Sequence, residues 1–369
     1  MSAPVHLDQS PTEGPDGGQR RGLQLRTTTM LVTGFAAVLL FSLVALAPVP
    51  YAVMKPGPVR NTLGEVAGTP LIEVAGRETY PTDGALDLTT VSVFGGPGGG
   101  VDLLDVVAGW LSPSEAVLPV DQVFPPGTSQ QQLQQQNAEE MVSSQENATA
   151  AAMSELGIEV PTTLTVAGFS PDSDAEKVLR EGDVVLAVDG EQVPDLPQLR
   201  DRLQDVAPGD PVTVTVRRDG EQTDVQVTTL TGPEGQTLLG VLVNPTYRFP
   251  FDVTIQIENI GGPSAGMMFA LGIIDKLTPG PLTGGQSVAG TGTIDSSGQV
   301  GPIGGIRQKL VGARDSGATW FLAPGGNCDE VVGHVPDGLR VLRVDTLGDA
   351  RTAVEGIADG QTADLPTCG

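Results

Sequence analysis

The sequence predicts an α+β protein that begins with a transmembrane helix. Residues 27–47 carry no charge and are mostly apolar, and a helix of that length crosses the ~30 Å core of a bilayer. Beyond residue 55, short alternating apolar and polar runs, bounded by Gly and Pro, predict strands. A Gln-rich stretch at 128–156, which Thr128 or Ser129 can cap, predicts a long helix.

The charges around the apolar segment predict its orientation. Basic residues are closer and more numerous before it than after it: Arg20, Arg21 and Arg26 against Lys55 and Arg60. The positive-inside bias therefore predicts a disordered cytoplasmic tail at 1–26, a signal anchor at 27–47 and the remaining chain outside the cytoplasm. A cleaved signal peptide is the alternative, because Ala45-Leu46-Ala47 has the small-x-small form of a cleavage site. The following Pro48 and the length of the segment favour the uncleaved, single-pass anchor in the cell membrane.

Composition excludes several classes of function. The formal net charge is −25, from 45 acidic and 20 basic residues, which argues against a nucleic-acid partner because phosphate binding needs clustered Lys and Arg. His6 and His334 are the only histidines, and Cys328 and Cys368 the only cysteines. A zinc site with the usual ligand spacing cannot be built from them, so we expect neither a metal nor another cofactor.

Export changes the interpretation of the two cysteines. Thiols outside the cytoplasm form lasting disulfides, so we expect a bridge between Cys328 and Cys368 that ties the C-terminal tail to its domain. Closing a loop of about 40 residues stabilises a fold by ~3–4 kcal/mol. Two unrelated thiols are the alternative.

Residues 161–243 predict a small β-rich domain. A strand at 184–188 stands between Gly182-Asp183 and Asp189-Gly190, a short helix covers 196–206, and an alternating strand covers 212–217. The series resembles a bacterial PDZ domain, whose Gly-Asp-x-Ile-x-x-Val-Asp-Gly core falls at 182–190. The resemblance implies a groove for an extended peptide, often a C-terminus, with Leu239-Gly240-Val241 as the carboxylate-binding loop. A purely structural β domain is the alternative.

Ser264 lies where a predicted strand passes into a predicted helix. The strand covers 252–257, the turn is Gly261-Gly262-Pro263-Ser264-Ala265-Gly266, and an apolar helix covers 267–277. Free backbone N–H groups at such a turn stabilise an oxyanion beside a nucleophile. The alternative is that Ser264 only caps the helix.

A serine nucleophile needs a base, and the sequence offers few. His6 lies in the polar tail, which leaves His334 or a lysine. The chain has four lysines: Lys55 beside the membrane, Lys177 in the β-rich segment, Lys276 far along the helix after Ser264, and Lys309. Lys309 remains, and burial would lower its pKa enough for it to act as a base. A solvated helix face around Lys309 is the alternative.

Two motifs resemble the signatures of the Lon protease catalytic domain. They are Gly262-Pro263-Ser264-Ala265-Gly266 and the run from Gly301-Pro302-Ile303-Gly304-Gly305 to Lys309. The resemblance implies a catalytic dyad of Ser264 and Lys309, with Gly262 and Ala265 as supporting neighbours. Gly290-Thr291-Gly292 resembles the Lon strand whose threonine supports the lysine, which makes Thr291 a candidate orienting residue.

The resemblance extends to the order of domains. Segments at 71–74, 84–89 and 141–152 resemble early parts of the Lon domain, so we expect a catalytic domain at 60–155 and 245–369 that the PDZ-like domain at 161–243 interrupts. The chain most resembles membrane-anchored PDZ–Lon proteins of Gram-positive bacteria. It departs from ATP-dependent Lon enzymes at Gly261, where they carry an acidic residue, and in having no Gly-Lys pair and hence no Walker A motif.

These observations predict a membrane-anchored, ATP-independent serine endopeptidase that cleaves exported proteins or peptides. The PDZ-like domain would select substrates, by their C-termini, or regulate the site. The first alternative is a PDZ peptide-binding adaptor with an inactive protease domain, and the second is a protease that cleaves only itself. Assembly into a homo-oligomer stays open.

Overall fold

The α+β class is confirmed by a computed structural model that describes residues 17–66, 68–97, 99–171, 173–233, 235–257 and 260–369. Two compact units make up the chain. The first contains the residues up to Val53, together with Phe94–Pro113 and Val117–Phe124. The second contains Met54–Val93, Ser114–Ala116 and Pro125–Gly369.

Helices and strands are numbered in chain order. The α-helices are α1 (Gly17–Ala45), α2 (Leu103–Leu111), α3 (Val120–Val123), α4 (Gln130–Glu155), α5 (Leu196–Gln204), α6 (Gly266–Leu277), α7 (Ile306–Asp315), α8 (Cys328–Val331) and α9 (Leu347–Ala358). The strands are β1 (Pro48–Val49), β2 (Tyr51–Pro56), β3 (Arg60–Asn61), β4 (Glu65–Val66), β5 (Thr69–Pro70), β6 (Ile72–Ala75), β7 (Ala85–Leu88), β8 (Val91–Phe94), β9 (Val101–Asp102), β10 (Ala116–Pro119), β11 (Thr162–Phe169), β12 (Val184–Val188), β13 (Glu191–Gln192), β14 (Pro211–Arg218), β15 (Glu221–Thr228), β16 (Leu230–Thr231), β17 (Thr237–Leu238), β18 (Val241–Tyr247), β19 (Asp252–Ile255), β20 (Ser287–Gly290), β21 (Thr293–Ile294), β22 (Val300–Gly301), β23 (Trp320–Pro324) and β24 (Arg340–Val344).

Helix α1 contains the apolar segment that the sequence predicts to be an anchor. By length and composition, Thr28–Ala45 can cross a membrane. The helix begins at Gly17, so the prediction of disorder up to residue 26 is wrong for 17–26; residues 1–16 lie outside the described residues. The physical reason is helix cooperativity: adding residues to an existing helix is easy, and Arg, Leu and Gln are good helix formers.

The first unit has a small apolar core beside the end of α1. Strand β1 pairs with β9, which leads directly into α2. The buried side chains are Val53, Val101 and Val106. Asp102 caps α2 by accepting a hydrogen bond from the Asp105 backbone N–H. The cap fixes where the helix begins, and hence which face it turns to the core.

A five-stranded sheet forms the centre of the second unit, in the order β24-β23-β20-β7-β3. Strand β20 runs parallel to both β7 and β23, while β3 is antiparallel to β7. Helix α6 is buried along most of its length, and α4 and α9 pack against it. The shared core takes residues from segments far apart in the sequence, including Leu71, Met141 and Phe269.

A second sheet, all antiparallel, has a core of its own. Its order is β15-β14-β12-β11-β18, and β13 pairs with β12. Its buried side chains lie between Leu164 and Leu239 and include two from α5, Leu199 and Leu203. The alternation of buried and exposed residues along β11 and β14 matches the period of a strand with one face on a core.

The structure shortens several predicted elements. Residues 86–93 alternate as a single strand would, yet they form two strands, β7 and β8, with Thr89 and Thr90 between them. The Thr89 N–H and hydroxyl both donate to the Gly290 carbonyl oxygen. Residues 69–74 divide likewise into β5 and β6. Helix α4 begins at Gln130, since the Ser129 side chain accepts the Gln132 N–H in a capping box.

A disulfide joins Cys328, at the start of α8, to Cys368 near the C-terminus. The bridge spans 40 residues, and closing such a loop stabilises the folded state by about 3–4 kcal/mol. The tail it holds also contacts β24: the Arg343 N–H donates to the Pro366 carbonyl oxygen at 2.9 Å.

Candidate active site

Ser264 lies in a turn that leads into α6. Gly262 has a φ of +84°, a conformation that glycine adopts without strain, and its N–H donates to the Asn137 carbonyl oxygen of α4 at 3.1 Å. Ala265 caps α6, which begins at Gly266. The Gly266 and Met267 N–H groups, the first of α6, donate to the Pro263 and Gly292 carbonyl oxygens at 3.4 and 3.2 Å. The candidate donors to an oxyanion beside the Ser264 hydroxyl are therefore the N–H groups of the turn itself, at Ser264 and Ala265.

Gly266 lets this turn pack closely. A Cβ at position 266 would meet Ile294 at 2.8 Å and the Ser144 hydroxyl at 2.9 Å. The Ser144 hydroxyl also donates to the Pro263 carbonyl oxygen at 3.1 Å, so α4 holds the turn from a second side. Both contacts fix the backbone that carries Ser264.

Lys309 reaches Ser264 from α7. Gly305 starts this helix with a φ of +69°, and Lys309 follows one turn later with only 2% of its surface exposed. Its Nζ lies 2.9 Å from the Ser264 Oγ, which is hydrogen-bonding distance. Two turns 45 residues apart in the chain thus bring an amine and a hydroxyl into direct contact.

Thr291 completes a three-residue cluster just after β20. Its hydroxyl donates to the Ser264 carbonyl oxygen at 2.9 Å and accepts a hydrogen bond from the Lys309 Nζ at 2.8 Å. The next N–H, that of Gly292, donates to the same Ser264 carbonyl at 2.9 Å. Because the only proton of the Thr291 hydroxyl goes to Ser264, its oxygen is left to accept from Lys309.

Burial lowers the pKa of Lys309 from its ordinary value of 10.5 to about 7. Removing an ammonium group from water disfavours the charged form. At neutral pH the neutral and charged forms are therefore present in comparable amounts. A neutral amine has a lone pair that can accept the Ser264 proton, which is what a general base requires.

The other potential bases lie elsewhere. His334 is exposed, with its Nδ1 3.1 Å from the Val332 carbonyl oxygen. Lys177 pairs with Asp174 on the surface of the β-rich domain. Within the parts of the chain that the structure describes, no cluster of His, Cys, Asp and Glu is arranged to hold a metal ion.

Leu239, Gly240 and Val241 belong to the antiparallel sheet and not to this cluster. Leu239 is buried in the core of that sheet, and Val241 begins β18. Gly240 has a φ of +74°, and its carbonyl oxygen accepts from the Ser170 N–H at 3.0 Å. The three residues form the turn before an edge strand of the sheet.

Sequence reasoning missed a contact between the two sheets' domains. Arg200 of α5 forms an ion pair with Asp295, in the turn between β21 and β22, at 3.2 Å. The Tyr247 hydroxyl bonds to the Ser296 side chain and, at 3.0 Å, to Asn147. Burial raises the pKa of Tyr247. These residues line a cavity of about 180 Å³, and no signal in a single sequence marks such a contact.

Two family models match the chain. Residues 141–229 match the PDZ domain, and residues 259–353 match the Lon protease (S16) C-terminal proteolytic domain. A solved PDZ domain of an SdrC-like protein from Listeria monocytogenes is 18% identical, covers 22% of this chain and 85% of its own, and has a TM-score of 0.21. The PDZ assignment rests on the family model, because identity and score are both low.

Curated relatives match over the segment that contains the cluster. "Lon protease 2" of Herpetosiphon aurantiacus is 40% identical over 105 residues, which is 27% of this chain and 13% of that protein. "Lon protease" of Clostridioides difficile is 37% identical over 102 residues, again 27% of this chain and 13% of that protein. The chain thus spans only 13% of the length of these relatives. Residues 141–229 are thus similar to PDZ domains, and residues 259–353 are similar to the proteolytic domain of Lon (S16) proteases.

Proposed function

We propose that the chain is an ATP-independent serine endopeptidase that uses Ser264 as nucleophile and Lys309 as general base. The observation that carries the proposal is the 2.9 Å separation of the Lys309 Nζ and the Ser264 Oγ in a buried setting. A pKa of about 7 gives the lysine a neutral form at physiological pH. Both residues also fall in the segment that matches the Lon proteolytic domain.

The reaction proceeds through an acyl-enzyme. Neutral Lys309 takes the proton of the Ser264 hydroxyl as its oxygen attacks the peptide carbonyl. Backbone N–H groups of the turn before α6, at Ser264 and Ala265, stabilise the oxyanion. The protonated lysine then gives its proton to the leaving amine, and the peptide bond breaks. Water, activated by the same lysine, attacks the ester and restores Ser264.

Thr291 is the proposed positioning residue for the lysine. Its oxygen accepts one hydrogen of the Lys309 Nζ, as its own proton is donated to the Ser264 carbonyl. With one hydrogen of the neutral amine held in this way, the lone pair can face the Ser264 hydroxyl. ATP-dependent Lon enzymes usually carry an acidic residue at the position of Gly261. A carboxylate there would raise the pKa of Lys309, whereas burial lowers it, so the glycine favours the neutral base.

We further propose that the PDZ domain is inserted into one Lon-type domain, divided at 60–155 and 245–369. The shared core supports this, because Met141 and Ile255, on either side of the antiparallel sheet in sequence, belong to the same apolar cluster. Membrane anchoring by α1, with the catalytic domain outside the cytoplasm, is proposed from its apolar span and the preceding arginines.

The PDZ domain selects substrates or regulates the site through the β21–β22 hairpin. We place its peptide groove between β18 and α5, from Leu239-Gly240-Val241 to the hairpin turn, because Arg200 of α5, Tyr247 of β18 and Asp295 of the turn line one cavity. The same hairpin begins directly after Thr291 and Gly292. The Thr291 hydroxyl and the Gly292 N–H both donate to the Ser264 carbonyl oxygen. A peptide in the groove therefore acts on a segment only a few residues from the cluster.

Arg200→Gln is expected to lower kcat on a short unstructured peptide by about 2- to 5-fold, equivalent to the 0.5–1 kcal/mol of an exposed ion pair. Losing the pair with Asp295 loosens the hairpin that supports Thr291. Arg202→Gln is the matched control, since Arg202 lies on the same helix and pairs with Glu191 instead. If the two substitutions change kcat equally, the β21–β22 hairpin does not connect the PDZ domain to the catalytic cluster.

The proposed activity is tested with the purified full chain in detergent. An unfolded protein such as casein should be cleaved without ATP, and adding ATP with Mg²⁺ should not change the rate. Stably folded proteins should resist, because the chain has no Walker A motif with which to power unfolding. If the chain binds peptides but cleaves none, the alternative function is favoured, namely a PDZ peptide-binding adaptor with an inactive protease domain.

A further inference from the structure

The exposed face of helix α2 is apolar, although the helix belongs to a folded unit. Of its nine residues, Leu104, Val107, Trp110 and Leu111 are 51%, 40%, 61% and 81% exposed. At 100° per residue these four side chains share one arc of the helix. Val106, about 100° from the centre of this arc, is fully buried against Val53 and Val101. The helix therefore has two apolar faces, and only one of them is covered by its own unit.

The position of α2 explains what covers the second face. Helix α1 ends at Ala45, and three residues later Pro48 is paired with Asp102, the residue that caps α2. Paired residues in a sheet lie ~5 Å apart, and three extended residues span at most ~10 Å. The first turn of α2 thus lies within about 15 Å of the end of α1, and the two helices contact each other. Since one headgroup region is only ~5–8 Å thick, it is the direct contact between α1 and α2, and not the 15 Å bound alone, that places α2 beside the interface.

The side chains around α2 suit a lipid interface. Tyr51 and Trp110 form an edge-to-face pair with ring centroids 6.0 Å apart, and Trp and Tyr are enriched where a membrane meets water. Phe94, in the same unit, is 50% exposed. Between residue 46 and Val53, and throughout Phe94–Pro113 and Val117–Phe124, the sequence has no Lys or Arg. These segments themselves therefore offer no attraction to anionic headgroups, and apolar burial must supply their binding.

We infer that α2 lies in the outer interface of the bilayer, with Leu104, Val107, Trp110 and Leu111 among the acyl chains as a second membrane contact beside α1. The inference rests on the proposed anchoring by α1 and adds to it a fixed orientation. A single transmembrane helix lets the first unit rotate and tilt relative to the bilayer. A second contact through α2 would hold that unit in one orientation on the membrane surface.

The chain has two tryptophans, Trp110 and Trp320, which makes the test direct. Full-length protein is reconstituted in phosphatidylcholine vesicles, with and without lipids brominated near the headgroup end of the chains. Wild-type emission should be quenched, and Trp110→Phe should remove most of that quenching. Trp320 is the internal control, because it lies in β23 of the second unit under the Arg340 guanidinium.

Quenching should be equal in vesicles with and without anionic lipid and unchanged by 0.5 M salt, since it depends on apolar burial. If wild type and Trp110→Phe are quenched equally by the brominated lipids, the inference is wrong. The exposed face of α2 would then be covered by water or by a second copy of the chain. Alkaline extraction of the same vesicles separates this outcome from failure of the anchor. If the chain stays with the vesicles while Trp110 is not quenched, α1 anchors the chain but α2 does not lie in the membrane.

Discussion

Replacing Ser264 by alanine is expected to abolish peptide hydrolysis, lowering kcat/KM by roughly 10⁴-fold or more. The substitution removes the oxygen that forms the acyl-enzyme, and the residual rate comes only from binding and the oxyanion donors. Ser264→Ala should be measured on a fluorogenic peptide beside Ser316→Ala. Ser316 is the control because it closes α7, the helix of Lys309, with a bond to the Ala313 carbonyl oxygen and no contact in the cluster.

The fold should survive Ser264→Ala. Lys309 keeps its bond to Thr291, and the Ser264 carbonyl, which accepts from Thr291 and Gly292, is part of the backbone and is retained. Thermal unfolding of the variant should therefore fall close to that of wild type. Activity that persists in Ser264→Ala at more than one part in a hundred, in protein free of contaminating protease, contradicts the assignment of the nucleophile.

Replacing Lys309 by methionine is expected to abolish activity to a similar extent while making the protein more stable. Methionine fills the space of the buried stem, but its thioether sulfur is only a weak acceptor and cannot take the proton of the Ser264 hydroxyl as a base. It also removes an amine that burial disfavours in its charged form, as the lowered pKa of about 7 records. Lys276→Met, at the partly exposed end of α6, is the control for loss of one positive charge.

The gain in stability should depend on pH in a definite direction. The pKa of Lys309 is about 7 in the folded state and 10.5 in its ordinary state, so between these values the unfolded chain binds the extra proton. The penalty of the lysine is therefore complete below pH 7 and disappears as the pH rises towards 10.5. Urea unfolding at pH 6 and pH 9 should show a larger advantage of Lys309→Met at pH 6. An equal advantage at both, or none, would contradict the buried-base interpretation.

Sequence reasoning located the residues of the cluster but not their geometry. Ser264 and Lys309 stand out because each follows a Gly- and Pro-containing turn into a helix, and turn residues have strong local signatures. That the turns meet depends on β20 lying parallel between β7 and β23, which places Thr291 beside both. No local pattern encodes such a meeting, so family resemblance was needed to pair the two motifs.

The Arg200–Asp295 ion pair and the exposed face of α2 leave no recognisable pattern in the sequence. Arg200 and Asp295 belong to segments that read as an ordinary helix and an ordinary turn, and their pairing depends on how two folded domains pack. The exposed apolar face of α2 could not be predicted because residues 101–111 are mostly hydrophobic, with Asp102 and Asp105 as their only charges, a pattern equally typical of a buried helix. Element boundaries were imprecise as well: residues 86–93 alternate as one strand would, yet Thr89 and Thr90 separate β7 from β8.

The most direct test of the proposed dyad is the pH dependence of covalent labelling by a fluorophosphonate, read by intact and peptide mass spectrometry. A single adduct should form on Ser264, and its rate should rise about tenfold per pH unit below pH 7 and level off above it, as Lys309 loses its proton. The adduct should be absent in Lys309→Met at every pH. Labelling of another residue, or a labelling rate on Ser264 that is the same in Lys309→Met, would contradict the dyad.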